Sequence, residues 1–119
     1  MAECICEASS VLLFPCSGGS NVGQIANAAA VELTRQGKAK MYCLAGIGAH
    51  VAGMIDSTAG ADMRIAIDGC AVACARKTLE HAGLKMDKAI VLTELGIQKS
   101  HQFEWSQAEL EQVMEKALN

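Results

Sequence analysis

Aromatic residues are nearly missing from this chain of 119 residues, which has only Phe14, Tyr42, Phe103 and Trp105. With 51% of the residues apolar all the same, the core has to be built from aliphatic side chains, alanine and methionine. Clustered positive charge is missing too. Ten Lys and Arg stand against thirteen Asp and Glu, for a net charge of −3, and no basic run interleaved with aromatics is present to follow a polyanion. A nucleic-acid partner is therefore not expected. No apolar stretch approaches the ~18 residues needed to span a bilayer, and Met1-Ala2-Glu3-Cys4 lacks the positive start of a secretion signal. No membrane partner is expected, and the expected compartment is the cytoplasm. The glycines between Gly18 and Gly23 fit neither GxGxxG nor a P-loop with its lysine, so they read as turn and close-packing residues. Internal repeats, linkers and low-complexity segments are also lacking.

What the chain does have is six cysteines. A domain of this length buries roughly two thirds of its unfolded surface and can hold together without covalent staples. In a reducing compartment a disulfide framework is not expected. Metal or thiol chemistry remains, set against the plain alternative that each cysteine packs as a small hydrophobe. Position along the fold decides between them.

Residues 1–9 show no periodicity and read as a flexible tail carrying Cys4 and Cys6, and residues 10–119 read as a single domain. Val11-Leu12-Leu13-Phe14, Lys40 to Leu44, Ile65-Ala66-Ile67 and Ala89-Ile90-Val91-Leu92 are short apolar runs of the kind buried on both faces of a parallel sheet. Between them lie amphipathic segments. Ser20 or Asn21 caps a helix with Val22, Ile25, Ala26, Ala29 and Leu33 on one side, closed by Gly37. Gly46-Ile47-Gly48 leads into a shorter helix through Val51, Met54 and Ile55, and Asp56 to Asp62 reads as a loop. Ala71 to Ala82 is a helix ending at Gly83. In the last helix Ser106 and Glu109 form a capping box, Trp105 and Leu110 take the places of a hydrophobic staple, and Leu110, Val113, Met114 and Ala117 make one face.

Four strands alternating with helices predict a three-layer α/β fold. It is Rossmann-like, with a four-stranded parallel sheet of order 2-1-3-4, right-handed crossovers and helices on both faces. In such sheets ligands bind at the carboxyl ends of the strands, above all where the strand order reverses, here between strands one and three. Cys16 follows strand one, Cys43 lies at the end of strand two, Cys70 follows strand three, and Cys74 comes one helical turn later. Core-filling cysteines would scatter, whereas these four gather at one edge and predict a shared metal site. Cys70 is expected at the N-terminus of the helix, where unpaired N–H groups favour a thiolate. Four thiolates suit tetrahedral zinc, with Zn–S near 2.3 Å, or an iron–sulfur cluster. Ligand identity alone leaves the two open.

Other chemistries fit less well. A strand running into Cys16-Ser17-Gly18-Gly19-Ser20-Asn21 is similar to a low-molecular-weight phosphatase or arsenate reductase loop. That mechanism needs an arginine six residues on to grip the oxyanion, and Val22 stands there. Cys70 and Cys74 are one residue too far apart for thioredoxin-like exchange. His50 and His101 fall on the presumed metal edge, either as proton carriers or as solvated loop residues. His81 complements a helix C-terminus. Asp68 reads as a structural cap, since another carboxylate beside four thiolates is electrostatically costly. Lys99 is placed either to offset that negative charge or to stand free in solvent.

These motifs resemble the DGC domain family, described as zinc-binding proteins. The resemblance rests on Pro15-Cys16-Ser17-Gly18 with Ser20-Asn21-Val22-Gly23-Gln24, on Met41 to Gly48, on Asp68-Gly69-Cys70 with Cys74, and on Leu95-Gly96-Ile97. It covers residues 10 to 103 and departs from the family pattern at Ala71, where proline is expected. It implies zinc held by Cys16, Cys43, Cys70 and Cys74, and it implies no reaction. Four protein thiolates would fill the shell of zinc and leave no open position, which favours binding or sensing over catalysis. The alternative is a thiol or metal-dependent enzyme or redox protein acting on a small molecule. Cys4 and Cys6 fall outside the shared motifs.

Overall fold

Unbroken apolar runs cannot leave a face in water, and the chain lays them side by side in the middle of the molecule. The computed structural model describes residues 10–119; the expected tail, with Cys4 and Cys6, lies outside the described residues. Strands β1 (Val11–Pro15), β2 (Lys40–Met41), β3 (Met63–Asp68) and β4 (Lys88–Val91) form one parallel sheet of order β2-β1-β3-β4, as the sequence predicts. Leu13 pairs with Met41 on one side and Ile65 on the other, and Ile67 pairs with Pro15 and Ile90. The helices are α1 (Asn21–Arg35), α2 (Leu44–Gly48), α3 (Ala52–Ala59), α4 (Cys74–His81) and α5 (Gln107–Leu118).

Because side chains alternate across a strand, the sheet feeds two cores. Leu13, Ile65, Ile67 and Ile90 face α1 and α5, meeting Ile25, Ala29, Leu33 and Val113. Leu12, Phe14 and Ala66 face the other way, towards Ile47 of α2 and Ala75 and Leu79 of α4. The main aromatic contact is Phe14 with Tyr42, edge to face at 5.9 Å. None of the helices among the described residues is long and apolar enough to cross a membrane.

The helix ends follow their local chemistry. Ser20 Oγ accepts the Gly23 N–H at 3.1 Å. Gly37, at φ +72°, closes α1 with Gly37 N–H to Thr34 O and Lys38 N–H to Leu33 O, a Schellman motif. Gly83 ends α4 in the same way. The capping box of Ser106 and Glu109 forms in both directions, while Trp105 is left exposed.

Four expected boundaries move, the simplest being that Leu92, expected in the fourth strand, opens a short 3-10 helix to Leu95. The second strand ends at Met41, because Cys43 is already the N-cap of α2. The second helix is split in two: His50 takes a left-handed conformation (φ +58°) between α2 and α3, and α3 runs on to Ala59, through residues expected to be loop. The fourth helix begins at Cys74 and not at Ala71, since Ala73 (φ 56°, ψ 49°) breaks the helical path before it.

Candidate functional site

Three of the four cysteines lie between a strand end and the next helix, and the fourth begins a helix. Cys16 leaves β1, Cys43 caps α2 just beyond β2, Cys70 leaves β3, and Cys74 is the first residue of α4. Cys70 therefore sits in a turn ahead of the helix, whereas the sequence pattern places it at the helix N-terminus. The reason lies in Asp68. Its buried carboxylate reaches forward to accept the N–H groups of Ala75 (2.7 Å) and Arg76 (3.0 Å), so the cap of α4 comes from the end of β3 and the helix can start only at Cys74. Burial pushes the Asp68 carboxyl up from its ordinary 3.8, while those two N–H groups and the charges of Arg76 and Lys77 pull it down.

Gly69 brings the first and third loops together. A Cβ there would lie 2.8 Å from Gly23 N, Val22 C and Val22 Cγ2, and one on Gly23 would lie 2.5 Å from Gly18 O, so the two glycines permit backbone to meet backbone. Across that contact the Gly69 N–H points at Cys16 Sγ, 3.4 Å away. Cys70, the next residue, has its sulfur 3.5 Å from Lys99 Nζ, the position in which a cation offsets thiolate charge. Cys16 and Cys70 are half-buried, and Cys43 and Cys74 are exposed.

Lys99 is held there by a residue whose sequence context suggests nothing beyond a helix cap. Asn21, buried at the start of α1, donates from Nδ2 to Gln98 O (2.9 Å) and accepts the Ser100 N–H on Oδ1 (2.6 Å), while its own N–H goes to Ser100 O (3.0 Å). The partners are 77 and 79 residues away, which is why no local pattern shows them; the only sequence signal is an asparagine placed after a residue that already caps the helix. Asn21→Ala is expected to cost about 1–2 kcal/mol and to speed exchange of the Ser100 amide about tenfold. Unchanged exchange at Ser100 in a hydrogen-exchange comparison would remove Asn21 from this role.

Cys16 and Cys43 line one cleft of about 660 Å³, with Pro15, Ser17, Tyr42 and, across it, Thr78 of α4. A depression of about 720 Å³ between the end of α1 and α5 is lined by residues such as Leu33, Gln36 and Glu111 and has no cysteine or histidine in its wall. Two of the four candidate cysteines thus open onto this cleft. Gly48 of α2 stands opposite Thr78, where a Cβ would come 3.7 Å from Thr78 Cγ2, and the His50 and His81 rings are 5.3 Å apart. α2 packs against α4, and Cys43 and Cys74 head these two neighbouring helices.

Each of the four cysteines follows the carboxyl end of a strand or begins the helix after it, but their side chains do not form a cage. Among the described residues, no three His, Cys, Asp or Glu side chains come together as a group that could hold an ion. His50, expected near the cysteines, turns instead to His81 at the far end of α4. His101 is exposed in the loop after Gly96.

The arrangement around Asp68-Gly69-Cys70 coincides with a known family pattern, the DGC domain, which matches residues 12–117. The chain belongs to the DGC domain family. In this DGC domain each residue of the triplet has its own part, for Asp68 caps α4, Gly69 allows the close approach and donates to Cys16, and Cys70 presents its sulfur to Lys99. The chain is also similar to the anaerobic and virulence modulator AnvM of Pseudomonas aeruginosa. The two are 33% identical over 90 residues, which is 76% of this chain and 69% of that protein. No solved structure matches the chain.

Proposed function

We propose that this protein binds one zinc ion through Cys16, Cys43, Cys70 and Cys74 and acts in the cytoplasm as a metal-binding or metal-sensing regulator, with no reaction of its own. The observation that carries the reading is the Gly69 N–H directed at Cys16 Sγ, which joins the loops after β1 and β3 at the reversal of strand order. The donor set fits the ion in kind: four thiols at one sheet edge are soft ligands that favour zinc over hard cations. Two further features support it. Lys99 can balance part of the charge of a four-thiolate site, and the left-handed residues Ser17 and Ala73 adjoin Cys16 and Cys74, backbone strain of the kind that gathers at functional sites. The relative named as a modulator is in keeping with a regulatory role.

Bound zinc would supply a closed tetrahedral knot between loops and no free position for water or substrate. The chain's own part is to hold the loops ready: Gly69 keeps two of them in contact, Asn21 fixes the segment carrying Lys99, and Asp68 anchors the helix that starts at Cys74. Elemental analysis of protein purified without chelator is expected to give about one zinc per chain and no visible absorption. Serine at Cys16, Cys43, Cys70 or Cys74 should lower the zinc content, while serine at both Cys4 and Cys6 should not. A brown protein with iron and sulfide would replace zinc by a cluster, and a metal-free protein with freely reacting thiols would end the metal reading.

A further inference from the structure

We propose that His50 and His81 form a second, two-imidazole site for a divalent first-row transition ion, separate from the cysteine edge. The two rings lie with centroids 5.3 Å apart and planes at 64°, and both residues are exposed. A metal bound by one nitrogen of each ring at about 2.0–2.1 Å lies about 3.2 Å from each centroid, and a tetrahedral angle at the metal then sets the centroids about 5.2 Å apart. The observed separation meets that requirement. The torsion at the imidazole is soft and its axis runs close to the ring centre, so each ring can reorient its nitrogens without changing that separation.

The backbone supports the same reading. Among the described residues three non-glycine residues have positive φ: Ser17, His50 and Ala73. Two adjoin cysteines of the candidate site, and the third is His50 itself. Histidine enters the left-handed region more readily than most residues, yet the conformation remains uncommon and calls for a reason. Here it turns the chain between α2 and α3 so that the His50 ring meets His81, in the last turn of α4. Because α4 rises about 1.5 Å per residue, the pair lies about 10 Å along the helix from Cys74, too far to share an ion with it. No third His, Cys, Asp or Glu joins the pair among the described residues, so water completes the shell and the ion exchanges readily. Neutral imidazoles with water select zinc, copper or nickel over magnesium and calcium.

Ni²⁺ titrated into the full chain, followed by paramagnetic broadening in ¹H–¹⁵N NMR spectra, tests the proposal independently of zinc at the cysteines. Broadening is expected first at Gly48 to Val51 and Thr78 to Ala82. His50→Asn, which retains a residue tolerant of positive φ, and His81→Gln should each weaken the effect about tenfold or more, since the second imidazole binds intramolecularly once the first holds the ion. The rest of the spectrum should stay unchanged, which shows that the variants fold. Broadening confined to Cys16, Cys43, Cys70 and Cys74, no broadening, or broadening at the histidines that survives either substitution overturns the proposal.

Discussion

Asp87→Ala is expected to destabilise the protein by about 3–4 kcal/mol at neutral pH, because it leaves a buried guanidinium without its counter-charge. Arg64 lies in β3 with its side chain only 8% exposed. Its Nη1 donates to the carbonyls of Thr58, Ala59 and Ala61 at 3.0–3.2 Å, tying the end of α3 to the sheet. Its Nη2 reaches Asp87 Oδ2 at 3.1 Å, and the same oxygen accepts the Arg64 N–H at 2.8 Å. The carbonyls satisfy hydrogen bonds on the guanidinium but carry no net charge, so the carboxylate cannot be replaced by its neighbours.

The hydrogen bond from Arg64 N–H, with the guanidinium and Lys85 adding to it against the effect of burial, holds the Asp87 carboxyl below its ordinary 3.8. A depressed carboxyl binds its proton less tightly in the folded protein than in the unfolded chain. Its contribution is therefore present above pH 3.8 and is lost as pH falls through the lower folded value. Urea unfolding at pH 7 should separate wild type from Asp87→Ala, and the gap should narrow below pH 3.8. Asp87→Asn keeps an acceptor for the backbone N–H and should fall between the two. A loss under 1 kcal/mol at pH 7 would contradict the role given to the pair; that bound is about what an exposed pair supplies.

Gly69→Ala is expected to cost about 2–3 kcal/mol and to empty the proposed zinc site although every cysteine is still present. The added methyl would stand 2.8 Å from Gly23 N and Val22 C, which are backbone atoms of α1 and cannot swing aside as a flexible side chain can. The loop bearing Cys70 must lift, breaking the Gly69 N–H contact to Cys16 and drawing Cys70 away from Lys99. Gly19→Ala, where nothing lies within 4 Å of the new Cβ, is the matched control and should be near neutral in stability and metal content. Thermal unfolding with metal analysis reads both effects. Full zinc content in Gly69→Ala would show that the close approach does not build the site.

The sequence by itself determined the four strands, their order in the parallel sheet, and the edge at which the cysteines lie. Those features come from short-range signals. The unbroken runs at Val11–Phe14 and Ile65–Ile67 announce strands buried on both faces, Ser20, Gly37, Ser106 and Glu109 mark helix ends within a few residues of themselves, and right-handed crossovers then restrict the topology. Tertiary structure alone decided where α4 begins, how Lys99 reaches Cys70, why Arg64 can be buried in a strand, and that His50 turns away from the cysteines to His81. Asp68 is the structural cap its place in the sequence suggests, but the N–H groups it takes belong to Ala75 and Arg76, seven and eight residues on, and Asn21 closes bonds across 77 and 79 residues. Arg64 is neutralised by an aspartate 23 positions on. Periodicity reports which face of an element is buried and says nothing about which distant polar group meets it, because hydrogen bonds and charges are directional and their partners are brought together only when the layers pack.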